Sequence, residues 1–393
     1  MGRRVTVLVL GGRLTPNLVG VLALRPAAVE FIVSKDTPTR YEEAYEVLGQ
    51  IADLDRSAKP QYLSAYDFVT NRDACLAVAQ KHTNAEIIYD ISSAPKIMGF
   101  AAYEVARFLH QRAIIVDTAN GRLIDLVPPS TAPVPIEIDL AQYLACYGRR
   151  PEPTFDFKKL SVSQRQAIDA ASYLATAGRA AVEAMDKLRS WSQGKGKRTI
   201  PFKKTQPLSS GARDVLRRLE SFGLITNLRE QPDGRVQYTI LTDMDWKYLE
   251  GAWLEVYVWH QVLQCRDEQG QPMFQESQVG LSFEIPSNGA RKQIDVGYVY
   301  HGQMIHVSCK TGSKPFKTAY LDEIRAVSSL IGGRFTSRLF VTNAFPPPET
   351  DPNYAHFLDQ AKDREIVVVT GKELPEVGAI LKEQALRPTY SRI

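Results

Sequence analysis

Two apolar runs in the C-terminal third place an acid and an amine where they can meet. The first reads Gln293-Ile294-Asp295-Val296. The second, after a turn at His301-Gly302, reads Ile305-His306-Val307-Ser308-Cys309-Lys310. Strand side chains alternate between faces, so Ile305, Val307 and Cys309 share an apolar face and His306, Ser308 and Lys310 share the other. In a hairpin, Asp295 and Lys310 converge on one face. A carboxylate there can hold a divalent cation through oxygen. A lysine beside it can orient or help deprotonate a water and offset phosphate charge. The same two residues also suit an ordinary surface ion pair. Upstream, Trp253-Leu254-Glu255-Val256-Tyr257-Val258-Trp259 surrounds one acid with apolar residues on nearly every side of a helix. A buried lone carboxylate is costly unless paired or metal-bound, so Glu255 is the natural second ligand, or the orienter of one.

The N-terminal part offers a different chemistry. Gly11-Gly12-Arg13-Leu14-Thr15-Pro16-Asn17 and Ser92-Ser93-Ala94-Pro95-Lys96 each follow a predicted strand, as do Ser34 and Lys35. Open α/β sheets bind ligands at the carboxyl ends of their strands, and helix-start amides with hydroxyls and lysines suit phosphate or ribose. Gly12, Thr15, Pro16, Asn17, Ser34, Lys35, Ser92, Ser93, Ala94 and Lys96 are the candidate ligand residues. Ser92 and Ser93 also read as caps of the helix that follows. No GxGxxG and no GxxxxGK[ST] occurs, which argues against NAD binding and ATP hydrolysis.

These residues need elements to hold them. Strands are expected at Val5–Leu10, Val29–Val33, Gln61–Leu63, Ile87–Ile91 and Ala113–Asp117, with helices at Leu18–Leu24, Arg40–Asp53, Asp73–His82 and Ile97–Leu109. This alternation predicts a parallel sheet covered by helices. A proline-rich stretch (Pro128, Pro129, Pro133, Pro135) leads to a boundary at Arg149–Pro153. Ser161–Trp191 reads as one long helical stretch. Gly211–Phe222 followed by two strands around Pro232-Asp233-Gly234 suggests a winged-helix-like spacer. From Tyr248–Gln264 onward the order is helix, three strands, helix, strand, helix, strand, helix. The expected division is therefore 1–150, 151–247 and 248–393.

The 393-residue chain has 44% apolar and 23% charged residues and a formal charge of +4. It can build two or three cores, but its charge alone does not mark a nucleic-acid binder. From Lys187 to Lys204 there are seven Lys or Arg and no acid, a run that reads as a solvated loop or a phosphate contact. Lys314, Lys317 and Arg325 follow the second strand and read either as a backbone grip or as a solvated face. Four dispersed cysteines make no zinc spacing and suit a reduced, cytoplasmic setting. The Val5–Leu10 run is too short for a signal peptide, and no stretch approaches the ~18 apolar residues of a membrane span. His306 and His260 lie nearest the proposed acid–amine site and read as surface or structural histidines, with a role conceivable for His306 because it shares the face of Ser308 and Lys310. Trp246, Trp253 and Trp259 read as core.

With these residues in place, the C-terminal part resembles the PD-(D/E)xK nuclease superfamily. Its pattern puts Glu on the first helix, Asp on one strand and (D/E)-x-Lys on the next. Glu255, Asp295 and Lys310 match; Ser308 stands where the pattern has an acid. A hydroxyl is a poor ligand for a hard cation, which leaves three alternatives open: Glu276 or Glu284 compensates, the site is naturally weak, or position 308 was altered to disable cleavage. The Gly-Gly-x-x-x-Pro-Asn turn and the Ser-Ser-x-x-Lys-x-Met helix start resemble a CRISPR-associated Rossmann-fold (CARF) domain. Together the parts resemble the type III CRISPR ancillary nuclease family. That resemblance implies a homodimer activated by a cyclic oligoadenylate, usually cyclic tetra-adenylate, with Mg²⁺- or Mn²⁺-dependent cutting of DNA, RNA or both. Glu255, Asp295, Ser308 and Lys310 would then be catalytic, and Glu255 and Asp295 the metal ligands. Two other readings stay open: a non-catalytic cyclic-oligoadenylate-binding regulator, and a ring nuclease that degrades its own activator.

Overall fold

The computed structural model describes residues 3–388 except 52, 119, 135–137, 190–197, 202–206, 288 and 349. The chain divides into two compact units, Met1–Arg150 with Val299–Gln303, and Pro151–Tyr298 with Met304–Ile393.

The first unit is built on strands β1 (Arg3–Leu10), β2 (Ala28–Ser34), β3 (Gln61–Leu63), β4 (Ala85–Asp90) and β5 (Arg112–Asp117), which pair in parallel. Between them run α1 (Thr15–Leu24), α2 (Arg40–Leu48), α3 (Phe68–Lys81) and α4 (Lys96–Phe108). β2 is buried at every position and β1 from Val5 onward, which is why their Val and Leu runs do not alternate with polar residues. On α3, Asn71, Ala74, Cys75 and Val78 face inward at helical spacing and meet Met98, Ala102 and Val105 of α4 in one core. The sheet continues through β6 (Arg122–Val127) and β7 (Pro129–Pro133), both antiparallel, and α5 (Leu140–Ala145) follows. Part of the proline-rich stretch is therefore an edge strand. Prolines can occupy an edge because its outer N–H groups need no partner.

The order β3-β2-β1-β4-β5-β6-β7 reverses direction between β1 and β4. A crevice at such a switch point is where open α/β sheets take ligands.

The second unit opens with β8 (Glu152–Pro153), α6 (Gln164–Thr176), α7 (Gly178–Arg189) and β9 (Arg198–Ile200). The long helix expected over Ser161–Trp191 is two helices instead. The chain breaks at Gly178, whose φ of 60° is left-handed, a conformation glycine adopts without a Cβ clash. Trp191 and most of the basic run lie outside the described residues. Next come α8 (Ser210–Phe222), β10 (Thr226–Glu230) and β11 (Val236–Ile240), with β11 central in the order β10-β11-β9. α8 buries Ala212, Val215, Leu216 and Leu219 and stops at Gly223, φ 91°.

After α9 (Asp243–Lys247), residues Tyr248–Ala252 form a widened turn that kinks at Gly251, whose backbone is not helical (φ 175°, ψ −28°), before α10 (Trp253–Leu263). The continuous helix expected from Tyr248 to Gln264 is thus interrupted. Thr311 Oγ donates to Glu250 O across 3.1 Å inside this turn. A Cβ on Gly251 would stand 3.0 Å from the same hydroxyl. α10 is buried on all sides, from Trp253 through Trp259 and at Val262.

The second sheet contains β12 (Val279–Ser287), β13 (Ala290–Tyr300), β14 (Gln303–Lys310), β15 (Ser337–Thr342) and β16 (Ile366–Val369), in the order β16-β15-β14-β13-β12-β8. β13 and β14 are joined by the turn His301-Gly302, both residues at positive φ (48° and 73°), as a tight two-residue hairpin requires. α11 (Thr318–Ser329) and α12 (Pro352–Asp363) pack with Phe340 of β15 and Ile366 of β16. α13 (Val377–Leu386) closes the unit. It begins later than the expected Lys372, because Pro375 sits in a preceding 3₁₀ turn.

Candidate functional site

Alternation along β13 and β14 carries the acid and the amine to one place. Asp295 Oδ2 lies 3.7 Å from Lys310 Nζ. It also accepts the Cys309 N–H at 2.8 Å and the Ser308 hydroxyl at 3.2 Å. Asp295 Oδ1 accepts from the Gln293 amide at 3.2 Å. Asp295 is 7% exposed, which sets the pair apart from a solvated surface ion pair. The hydroxyl at position 308 is thus engaged on Asp295.

Glu255 enters from α10 and is 8% exposed. Among the described residues its Oε2 is buried without a hydrogen-bond partner, and the Ser282 side chain is a polar neighbour of the carboxyl. Burial, and next the charge of Asp295, push the Glu255 carboxyl up to about 8. Burial also raises Asp295, against the opposing pull of Lys310 and its hydrogen bonds. For Lys310, burial works downward, but the charges of Asp295 and Glu323 outweigh it and the ammonium is held charged to higher pH.

Two buried carboxylates that repel each other, one with an orphaned oxygen, are what a divalent cation relieves. Glu255 and Asp295 therefore fit a hard cation. Among the described residues, no three His, Cys, Asp or Glu side chains already sit close enough to hold one.

The compensating acids considered from the sequence do not enter this cluster. Glu276 is exposed in a short 3₁₀ turn, and Glu284 faces Arg291 at 3.4 Å. His306 shares the face of Ser308 but is buried, its Nδ1 3.0 Å from Ser328 Oγ, and burial pulls it down to about 3. It is a neutral structural residue, as expected. His260 pairs with Gln264. Trp246, Trp253 and Trp259 are all buried, and Lys314, Lys317 and Arg325 are exposed.

Two relevant side chains escaped the sequence reading. Ser282 of β12 is fully buried with φ 42° and bonds Thr154 at 2.9 Å; nothing in a lone serine between apolar residues marks it. Glu323, on α11, stands 3.8 Å from Lys310 Nζ.

In the first unit, the loops after β2, β1 and β4 bring their residues to the carboxyl ends of three adjacent strands. Gly12 N donates to Ser93 O at 2.7 Å. A Cβ at Gly11 would come within 2.4 Å of Pro95 Cδ, so the two loops touch only because glycine is there. Ser92 and Ser93 do not cap α4. Pro95 holds the cap position without a side-chain bond, Ser92 accepts from Val116 N at 2.9 Å, and Ser93 donates to Val9 O at 3.3 Å.

Ser92 N and Oγ both donate to Asp90, a fully buried acid that the sequence reading passed over. Burial raises Asp90 to about 6 against those bonds. A Cβ at Gly20 would meet its Oδ2 at 2.7 Å, so α1 can lie over this carboxylate only without a side chain there. Thr15, Pro16 and Asn17 are buried in the first turn of α1, Ser34 is buried, Ala94 is half-buried, and Lys35 and Lys96 are exposed. The α4 start has no acidic residue in its first turn, leaving its amides open to an anion.

The family model described as "Card1-like, endonuclease domain" matches residues 243–387. No curated protein sequence matches the chain. The fold is shared along nearly its whole length with solved structures. Protein VC1899 from Vibrio cholerae superposes with a TM-score of 0.79 at 19% identity, covering 97% of each chain. Can2 from Sulfobacillus thermosulfidooxidans, solved with cyclic tetra-adenylate, gives 0.72 at 18% identity, covering 96% of this chain and 98% of that one. A type III CRISPR defence DNA nuclease activated by cyclic oligoadenylate gives 0.56 at 16% identity, covering 90% of this chain and 48% of that one. The mixed α/β fold with its parallel sheet is therefore as expected, and the resemblance to type III CRISPR ancillary nucleases holds. Glu255, Asp295, Ser308 and Lys310 all fall inside the matched segment. Among the described residues, no helix is long and apolar enough to cross a membrane.

Proposed function

We propose that this chain is a metal-dependent nuclease of type III CRISPR antiviral defence, switched on by a cyclic oligoadenylate and cutting DNA, RNA or both with little sequence preference. The observation that carries this reading is the buried cluster in the matched segment: Asp295 3.7 Å from Lys310, beside a Glu255 carboxylate with an unpartnered oxygen.

Glu255 and Asp295 would hold Mg²⁺ or Mn²⁺. When bound, the cation supplies Lewis-acid stabilisation of charge developing on a phosphate. Lys310 offsets phosphate charge and orients the attacking water, while Asp295 holds the amine in place. Ser308 and the Cys309 N–H fix the Asp295 carboxylate from behind.

The activator would sit on the loops around Gly12, Thr15, Pro16, Asn17, Ser34, Lys35 and Ser92–Lys96. The cyclic tetra-adenylate held by Can2 supports this ligand, because amides at the α4 start and the exposed Lys35 and Lys96 match a ring of phosphates. A two-fold ring suits the axis of a homodimer. Phe100 of α4, 61% exposed and one helical turn after Lys96, offers apolar surface beside it for that contact. The ligand activates only if it binds the cutting-competent arrangement more tightly than the resting one. A cytoplasmic setting suits the four reduced cysteines.

One observation favours a second reading. Ser308 removes an acid from the strand, as in a binding-only regulator that has lost cleavage. Incubating the purified protein with plasmid and with single-stranded RNA, with and without cyclic tetra-adenylate and Mn²⁺, decides between them. Cleavage that needs both additions supports the nuclease. Activator binding without cleavage under any condition supports the regulator. Loss of the cyclic tetra-adenylate itself, followed by chromatography, would instead mark a ring nuclease.

A further inference from the structure

Position 308 lacks an acid, and the acids first considered as substitutes point elsewhere. Glu323 does not. It lies in the second turn of α11, where Leu321 and Ile324 are buried and Glu323 itself is exposed. Lys310 Nζ stands 3.8 Å from Glu323 Oε2 and 3.7 Å from Asp295 Oδ2. The ammonium thus sits between two carboxylates, in the electrostatic place a cation would take. The two oxygens are no further apart than the sum of those distances. The charge of Glu323 is felt at Asp295, where it acts to raise the carboxyl.

The helix is held in register over the strand. Tyr320, one turn before Glu323, presents its ring centre 5.3 Å from Lys310 Nζ. The neighbouring acid, Asp322, is tied away at 2.9 Å from Arg364. With 54% of its side chain exposed, Glu323 has room to change rotamer.

We propose that Glu323 supplies, from helix α11, the metal-binding carboxylate that Ser308 does not supply from strand β14. This rests on the nuclease reading above. In the metal-free protein Glu323 is parked on Lys310. With a divalent cation at Glu255 and Asp295, it turns from the ammonium to the ion, and Lys310 keeps its bond to Asp295. A hard cation gains a charged oxygen where a hydroxyl would bind weakly.

The test is Mn²⁺ binding, read by titration calorimetry and by the paramagnetic signal of free Mn²⁺, on the full chain without nucleic acid. Melting curves check that each variant folds. Glu323→Gln is expected to weaken Mn²⁺ binding about tenfold or more, at least as much as loss of a supporting partner costs a metal site. Glu323→Gln with Ser308→Glu should recover most of that loss, since the acid returns on the strand. In a Lys310→Met background, Glu323→Gln should still weaken binding; if its effect vanishes there, Glu323 acts only through the lysine and the proposal is overturned. Wild-type binding in Glu323→Gln alongside loss in Asp295→Asn overturns this inference while leaving the site intact. Unchanged binding in both, or no saturable Mn²⁺ binding by the wild type, removes the metal site and the nuclease reading together.

Discussion

Replacing Glu255 with glutamine should make the metal-free protein more stable at alkaline pH and leave it nearly unchanged at acid pH. The carboxyl is displaced from an ordinary 4.5 to about 8 in the folded chain, by burial first and Asp295 second. The unfolded chain ionises freely near the ordinary value. Between those two values the folded state holds a proton that the unfolded state has released. Stability from this group is therefore complete below about pH 4.5 and is lost as pH rises through about 8. At ~1.4 kcal/mol per unit, the full displacement corresponds to an upper bound of ~5 kcal/mol. Water penetration and relaxation around a buried charge reduce such figures, leaving roughly 2–3 kcal/mol. Glutamine keeps the shape without the ionisation, so Glu255→Gln escapes this loss. For a unit of this size ~1 kcal/mol moves a melting transition by ~2–4 °C. The variant should melt about 5–10 °C above wild type at pH 9 in EDTA and within ~2 °C of it at pH 5. Excess Mn²⁺ should reverse the order, because only the carboxylate binds the ion. Differential scanning calorimetry across pH checks this. Parallel melting-against-pH curves for the two proteins would refute the claim that Glu255 is forced toward its protonated form.

Lys310→Ala should abolish cleavage while sparing activator binding; nicking at the wild-type rate would remove Lys310 from the site. Ser308→Glu should raise Mn²⁺-dependent cleavage severalfold, because an acid fixed on the strand loses less rotamer freedom than one recruited from a helix surface; plasmid nicking rates check it. Lys35→Ala with Lys96→Ala should weaken cyclic tetra-adenylate binding by about tenfold or more, as two phosphate contacts of roughly 1 kcal/mol each are lost, with melting unchanged. Gly11→Val should weaken binding too, and also destabilise the first unit, since its Cβ would begin 2.4 Å from Pro95; calorimetry reads both.

Much of the candidate site's geometry was legible because strand alternation is a rigid rule. Once Ile305, Val307 and Cys309 are inward, Ser308 and Lys310 must share the other face, and the two-residue turn at His301-Gly302 fixes which residue of β13 lies near them. Glu255 was legible for a different reason: a lone acid among Trp, Val and Leu has to be explained by a partner. Glu323 was not legible. On a helix with exposed charges it is indistinguishable from a solvated residue, and only the packing of α11 on β14 brings it to Lys310. Asp90 was hidden in the same way, since a strand-end acid before Ser-Ser reads as a turn residue until the helix above it is placed. The break at Gly178 was missed because the alanine-rich sequence on both sides is helical by propensity, and a single glycine inside such a run does not announce a left-handed turn.

The widened turn at Tyr248–Ala252 sets the angular phase of the helix behind it. The chain kinks there at Gly251, and each helical residue after it advances the side-chain direction by about 100°. The turn is gripped on both sides: Tyr248 donates its hydroxyl to Ala167 O at 2.6 Å, and Thr311 holds the Glu250 carbonyl. Removing one residue here would either swing Glu255 more than a quarter circle off Asp295 or pull Trp253 out of the interior. A relative could keep every letter of the helix and still lose its chemistry through a single-codon deletion in this turn. On the proposed role of Glu255, a change of length at these five positions would displace the acid further than most substitutions in the helix itself.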